Sequence, residues 1–253
     1  MTQITARDSH PSLTGLADAY RDGALRPSAV VEAHLDRIAQ ADGSIGAYQA
    51  VYADEARQAA GAADKALATG HRIGPFHGVP FALKDIVDLE GRVTTGGSKA
   101  LEDRVSPVTA TVARRLLSAG GILLGKTKTV ELAFGGWGTN QRMGTPRNPW
   151  DMETHRVCGG SSSGSAAAVA AGLAVCALGT DTGGSVRLPA GFCGLTGLKV
   201  TAKRLPADGI LALSQTLDTP GPMARSVADT LLMFEVLDGR EPCAIDRERA
   251  DGT

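Results

Sequence analysis

The sequence predicts an α/β fold in which a mixed, mostly covered central sheet is flanked by helices on both faces. Three observations lead there. Segments with apolar residues at helical spacing alternate with short, wholly apolar runs, the pattern of buried strands joined through helices. Glycine is abundant, 32 of 253 residues against a usual ~7%, and it lies among apolar segments, where it serves tight turns and close backbone approaches. No repeat or linker interrupts the chain, so residues 1–253 are read as a single domain whose last stretch, 240–253, is a polar tail.

The elements follow in order. In "SAVVEAHLDRIAQAD", Val30, Val31, His34, Leu35 and Ile38 form one face of an amphipathic helix started by Pro27 and Ser28. A second helix covers Ala53 to Ala68 and is ended by Gly70. The run Gly78 to Leu83, "GVPFAL", reads as a buried strand that delivers Lys84 at its end. "TATVARRLLSA" from Thr109 is a helix, and the "GILLG" after it another buried strand. "GGSSSGS" opens a helix ending near Gly172, and "LAVCALGT" follows as a strand. "LKVT" and "GILAL" are candidate strands. Ser226 to Leu237 is a helix whose start, Ser226 with Asp229 three residues on, resembles a capping box.

Composition excludes several classes of function. With 26 basic and 27 acidic side chains the net charge is −1, which offers no electrostatic footprint for nucleic acid or an anionic membrane. Cys158, Cys176, Cys193 and Cys243 form no CxxC pair and are read as reduced and mostly buried. The N-terminus "MTQITARDSHPS" has no apolar signal region, and the longest apolar run, Ala166 to Gly179, is too short to span a bilayer. A cytoplasmic protein is expected. No metal-ligand spacing appears, and no metal or organic cofactor is expected.

Two motifs match by letter and fail on physics. "GGILLGKT", Gly120 to Thr127, fits the phosphate-loop pattern, but its interior Ile122, Leu123 and Leu124 make a strand preceded by a helix, where a phosphate cradle needs a loop between strand and helix. "GSSSG", Gly160 to Gly164, fits a nucleophile elbow centred on Ser162, which requires an acid and then a histidine later in the chain. No histidine follows His155.

A lysine can take the place of histidine as the base if it is neutral. Lowering its pKa from about 10.4 to about 8 asks for roughly 3 kcal/mol against the charged form, which burial of Lys84 at the end of an apolar strand can supply. Asp85 would oppose this, but alternate strand residues face opposite sides. Thr182, Gly183 and Gly184 leave little bulk before Ser185, so backbone N–H groups can converge there on the oxygen of a tetrahedral intermediate.

Together, "GGSSSGSAAAVAAG" and "LGTDTGGSVRLPAGFCGLTGLK", flanked by "GVPFALKD" and "LDTPGPMARSVAD", resemble the amidase signature enzymes from about Leu13 to Leu237. The resemblance implies the amidase signature fold and a Ser-cisSer-Lys triad for hydrolysing amide bonds through an acyl-serine. Ser185 is then the nucleophile, Ser161, preceding a cis peptide, the proton relay, and Lys84 the base. The 24-residue separation of the two serines fits the family pattern. It further implies an oxyanion hole from the N–H groups of Thr182, Gly183, Gly184 and Ser185, with Asp181 and Arg187 bracing the loop and Ser162 in support. The plainer reading of Asp181 and Arg187 is a structural ion pair, and that of Ser162, Ser163 and Ser165 is helix capping.

The sequence departs from the family in carrying Cys158 where proline is frequent, and in its length, since family members continue into a C-terminal half. The expected partner is a small amide substrate, with a second copy or a partner subunit covering sheet surface left bare. Two alternatives stand beside the stand-alone amidase: the amidase subunit of a glutamine-dependent tRNA amidotransferase, and an inactive fragment. The stretch "FGGWGTNQRMGTPRNPWD" is more typical of stand-alone amidases.

Overall fold

The computed structural model describes residues 11–239; the expected polar tail, Cys243 and the first ten residues lie outside them. Seven α-helices are found among the described residues: α1 (Leu13–Arg21), α2 (Pro27–Ile45), α3 (Ala53–Ala68), α4 (Thr111–Ser118), α5 (Ser163–Ala170), α6 (Arg187–Phe192) and α7 (Val227–Asp238). They surround a six-stranded sheet of β1 (Tyr48–Val51), β2 (Pro80–Lys84), β3 (Ile122–Thr127), β4 (Cys176–Asp181), β5 (Thr196–Gly197) and β6 (Thr219–Ala224), in the order β1-β3-β2-β4-β6-β5. The sheet is mixed: β3, β2 and β4 run parallel, and β1, β6 and β5 pair antiparallel to their neighbours.

The parallel centre explains the layers. The chain passes from β2 through α4 to β3 on one side, then back through α5 to β4 on the other side of β2. Two crossovers of the same hand in opposite directions put their helices on opposite faces. Phe81 and Leu83 of β2 pack with Val112 and Leu116 of α4 and Met233 and Leu237 of α7. Ala82, between them, packs with Ala167 of α5 and with Val31 and Leu35 of α2 on the other face. All five β2 residues are buried, as a strand covered on both sides must be. The parallel strands end in Lys84, Thr127 and Asp181, and α5 begins at that same edge, where α/β proteins gather functional groups.

The expected helices at α2, α3, α4, α5 and α7 and the strands at β2, β3 and β4 are present. Ser226 caps α7 by accepting the Asp229 N–H at 3.1 Å; the Asp229 carboxylate does not close a capping box but instead accepts the N–H of Thr14 at 3.0 Å. Cys158, Cys176 and Cys193 are free and buried.

Two expected strands need correction. "GILAL" forms no strand: it crosses the end of β2, with Gly209 O accepting from Asp88 N and Leu211 N donating to Ile86 O, and one isolated bridge from Ile210 to Val87. "LKVT" is also outside the sheet, because the paired residues are Thr196–Gly197 just before it. In their place "TPGPMA" makes β6, unexpected because proline demotes an interior strand. The prolines are harmless here for a geometric reason. Pro222 O accepts from Leu198 N on the β5 side, so the missing N–H groups of Pro220 and Pro222 face the two-residue edge strand and leave the ladder to β4 intact.

Candidate active site

Lys84 follows Ala82 to the α5 face of the sheet, as the two-residue period of a strand requires. It is fully buried, and its Nζ donates to Ser161 Oγ at 2.7 Å and to Thr180 Oγ1 at 2.8 Å. Burial pushes the amine down to about 7, opposed by the negative charges of Asp218 and Asp181. A lysine in this position is therefore substantially uncharged at neutral pH. Asp85, the next residue, turns the other way: its carboxylate accepts from Thr95 N at 3.2 Å and Thr95 Oγ1 at 2.5 Å and pairs with the buried Lys126 at 3.5 Å. Strand alternation thus separates the two charges, as expected.

The Ser161 segment is held from several directions. The Gly160–Ser161 peptide bond is cis, on the N-terminal side of Ser161 and not after it as expected. Gly160 N–H donates to Gly136 O at 2.7 Å, while Ser161 O accepts from Val130 N at 3.2 Å and from Thr129 Oγ1 at 3.0 Å. The chains approach so closely that a Cβ on Gly138, which has φ +84°, would stand 2.3 Å from Gly159 O. Ser162 is the residue preceding α5, yet its hydroxyl makes no capping bond. It donates to Thr180 O and accepts from Thr180 N, both at 3.3 Å, tying the start of α5 to β4. Ser165 Oγ bonds Thr127 Oγ1 at 2.7 Å, and Ser163 Oγ is buried with no hydrogen-bond partner. Helix capping therefore accounts for none of the three.

Between β4 and α6 the chain turns around Asp181. Its carboxylate accepts from the backbone of Gly184 (2.8 Å), Val186 (3.2 Å) and Arg187 (3.3 Å) and from the Arg187 guanidinium through two bonds of 3.0 Å. Burial alone would raise this carboxyl, but the hydrogen bonds from Arg187 and from three backbone N–H groups outweigh it and hold the group below its ordinary value. Asp181 and Arg187 thus form an ion pair that also shapes the turn. Of the four N–H groups expected at an oxyanion hole, that of Gly184 is engaged by Asp181. Ser185 is half-buried and its carbonyl accepts Ser162 N–H at 3.3 Å, which sets the two serine segments side by side. Ser185 Oγ makes no hydrogen bond among the described residues.

Two participants had no sequence signal of their own. Thr180 lay within a predicted strand and supplies the second partner of Lys84. Asp218 lay within a flanking block and bonds the Thr182 hydroxyl. Both line a cleft of about 300 Å³ bounded by Gly209, Ile210 and Gln215.

Comparison with known proteins gives a consistent result. The family model described as Amidase matches residues 29–250. The chain is 47% identical over 231 residues to the A-subunit of glutamyl-tRNA(Gln) amidotransferase of Thermobifida fusca (strain YX), covering 91% of this chain and 46% of that protein. It is 44% identical over 236 residues to the protein of the same name from Moorella thermoacetica, covering 93% and 48%. Among solved structures, the native peptide amidase from Stenotrophomonas maltophilia superposes with a TM-score of 0.84 at 36% identity, over 98% of this chain and 51% of that one. A 6-aminohexanoate cyclic dimer hydrolase does so with 0.81 at 33% identity, over 89% and 46%. The chain spans about half the length of the relatives it matches.

Proposed function

This chain belongs to the Amidase family, and we propose that it carries the acyl-transfer centre of an amide-bond hydrolase. The observation that carries the reading is the buried Lys84, held down to about 7 so that a substantial share is uncharged at neutral pH, and donating at 2.7 Å to the hydroxyl of Ser161. In this reading Ser185 Oγ attacks the amide carbonyl and forms a tetrahedral intermediate. Its proton passes through Ser161 to Lys84. The intermediate collapses as that proton returns to the amide nitrogen, releasing ammonia or an amine and leaving the acyl group on Ser185. Water then repeats the sequence and releases the acid. The N–H groups of Thr182, Gly183 and Ser185 receive the developing oxyanion, worth about 3 kcal/mol for each donor, while that of Gly184 is held by Asp181 and the Asp181–Arg187 pair fixes the turn.

A second reading has its own support: relatives at 44–47% identity carry the name of the A-subunit of glutamyl-tRNA(Gln) amidotransferase. There the same chemistry would release ammonia from glutamine for use by partner subunits. Assaying ammonia and amine release from aliphatic, aryl and peptide amides and from glutamine tests both. Hydrolysis of simple amides by the chain supports the stand-alone reading. Glutamine turnover that requires added partner subunits supports the second. Neither activity in a folded chain would count against both.

A further inference from the structure

We propose that Asp218 is a positioning residue for this reaction: it latches the turn carrying Ser185 to the 213–218 loop, at the cleft that Thr180 also lines. The proposal rests on the hydrolase reading above and extends it to a residue outside the triad. Three hydrogen bonds and its place in the fold carry it. Asp218 Oδ1 accepts the hydroxyl of Thr182, the first residue of the turn that ends in Ser185. Its other oxygen accepts the N–H of Leu213 at 2.8 Å and of Ser214 at 2.9 Å. Asp218 directly precedes β6, whose Thr219 pairs with Asp181 in the ladder, so the carboxylate is delivered from a strand already registered against β4. It also lines the cleft beside Thr180, the hydroxyl that receives Lys84.

The division of labour at the turn follows from these bonds. Asp181 holds the turn's far half through Gly184, Val186 and Arg187. Thr182 and Gly183 lie before that clamp; Gly183 is exposed and a Cβ there would meet nothing within 4 Å. Asp218 is the anchor of this near half, through a side chain and not through the backbone. Without it the N–H groups of Thr182 and Gly183 lose a fixed direction, and misplacement of about 1 Å is enough to cost on the order of a hundred-fold in rate.

The charge has a separate effect. The carboxylates that act on Lys84 are Asp218 and Asp181, both favouring its protonated form; Asp181 is already neutralised by Arg187, and Asp85 is turned away onto Lys126. Asp208, across the same cleft, is bonded to Thr111 N and Oγ1. Of the two carboxylates that act on Lys84, Asp218 is thus the one with no cationic side-chain partner among the described contacts.

Two substitutions separate the latch from the charge. Thr182→Val removes the hydroxyl and keeps the carboxylate, whereas Asp218→Asn keeps an acceptor oxygen and removes the charge. The readouts are hydrogen exchange of the 182–185 amides and the pH dependence of Ser185 labelling by a fluorophosphonate. Thr182→Val is expected to speed exchange and slow labelling by roughly ten-fold or more with the midpoint in pH unchanged. Asp218→Asn is expected to lower the midpoint by about one pH unit, since removing a negative neighbour eases loss of the lysine proton. Label on the unmutated chain, with exchange, labelling and midpoint unchanged in both variants, would overturn the positioning role alone. No Ser185 label on the folded, unmutated chain would overturn the proposed function and the positioning role with it. Should Asp218→Asn not fold, Thr182→Val alone decides the latch.

Discussion

Lys84→Met should make the chain more stable at neutral pH while strongly slowing the proposed reaction. The amine is fully buried and lies at about 7 instead of 10.5. At about 1.4 kcal/mol for each pH unit, folding around it costs roughly 4 kcal/mol at pH 7 relative to a lysine left in water. The sign follows from proton binding: the unfolded chain holds this proton more tightly than the folded one, so the deficit is full below pH 7 and shrinks as pH rises toward 10.5. Methionine fills a similar volume without charge. Against the gain stand two lost hydrogen bonds, from Nζ to Ser161 and Thr180, at about 1 kcal/mol each. The balance is a gain of about 2 kcal/mol, or roughly 4–8 °C in Tm for a chain of this size. At pH 9 about 2 kcal/mol of the deficit remains, and gain and loss nearly cancel. Calorimetry of both proteins from pH 6 to 9 reads this directly. A Tm for Lys84→Met at or below that of the unmutated chain at pH 6–7, or a difference independent of pH, would mean that burial of the Lys84 amine carries no such cost.

The remaining expectations concern rate and packing. Acylation should rise with pH about a midpoint near 7 and fall about ten-fold for each unit below it, because the proposed reaction uses the neutral form of Lys84; a rate flat from pH 5 to 8 would contradict Lys84 as the base. Gly164→Ala should destabilise by about 1–3 kcal/mol, since its Cβ would stand 2.3 Å from Ala47 O and 2.5 Å from Lys128 N, both backbone atoms that cannot swing aside. An unchanged melting temperature in that variant would show that α5 can move off β3 without cost.

Much of the parallel centre was legible because covered strands must be apolar throughout, and "GVPFAL", "GILLG" and "LAVCALGT" are. The same principle gave Lys84 its burial and separated it from Asp85. Where local and tertiary signals conflict, the reading failed. Pro220 and Pro222 argue against a strand, and only the one-sided pairing of β6 makes them harmless. "GILAL" is apolar enough for a strand yet is used to cross the end of β2. Ser162 and Ser165 sit where capping serines sit, but strands β4 and β3 offer them partners that no local pattern announces. Thr180 and Asp218 escaped for a related reason. Their roles depend on the β4–β6 register and on how the 207–218 loop returns, and nothing periodic in the chain encodes either.

In the proposed reaction Lys84 and Ser161 activate Ser185. Intact-mass spectrometry of the folded chain after exposure to a fluorophosphonate at mildly alkaline pH, with Ser185→Ala and Lys84→Met beside it, tests this most directly. One adduct on the unmutated chain, absent from Ser185→Ala and strongly slowed in Lys84→Met, is the predicted result; an adduct that persists in Ser185→Ala, or one that forms at full speed without Lys84, would contradict it.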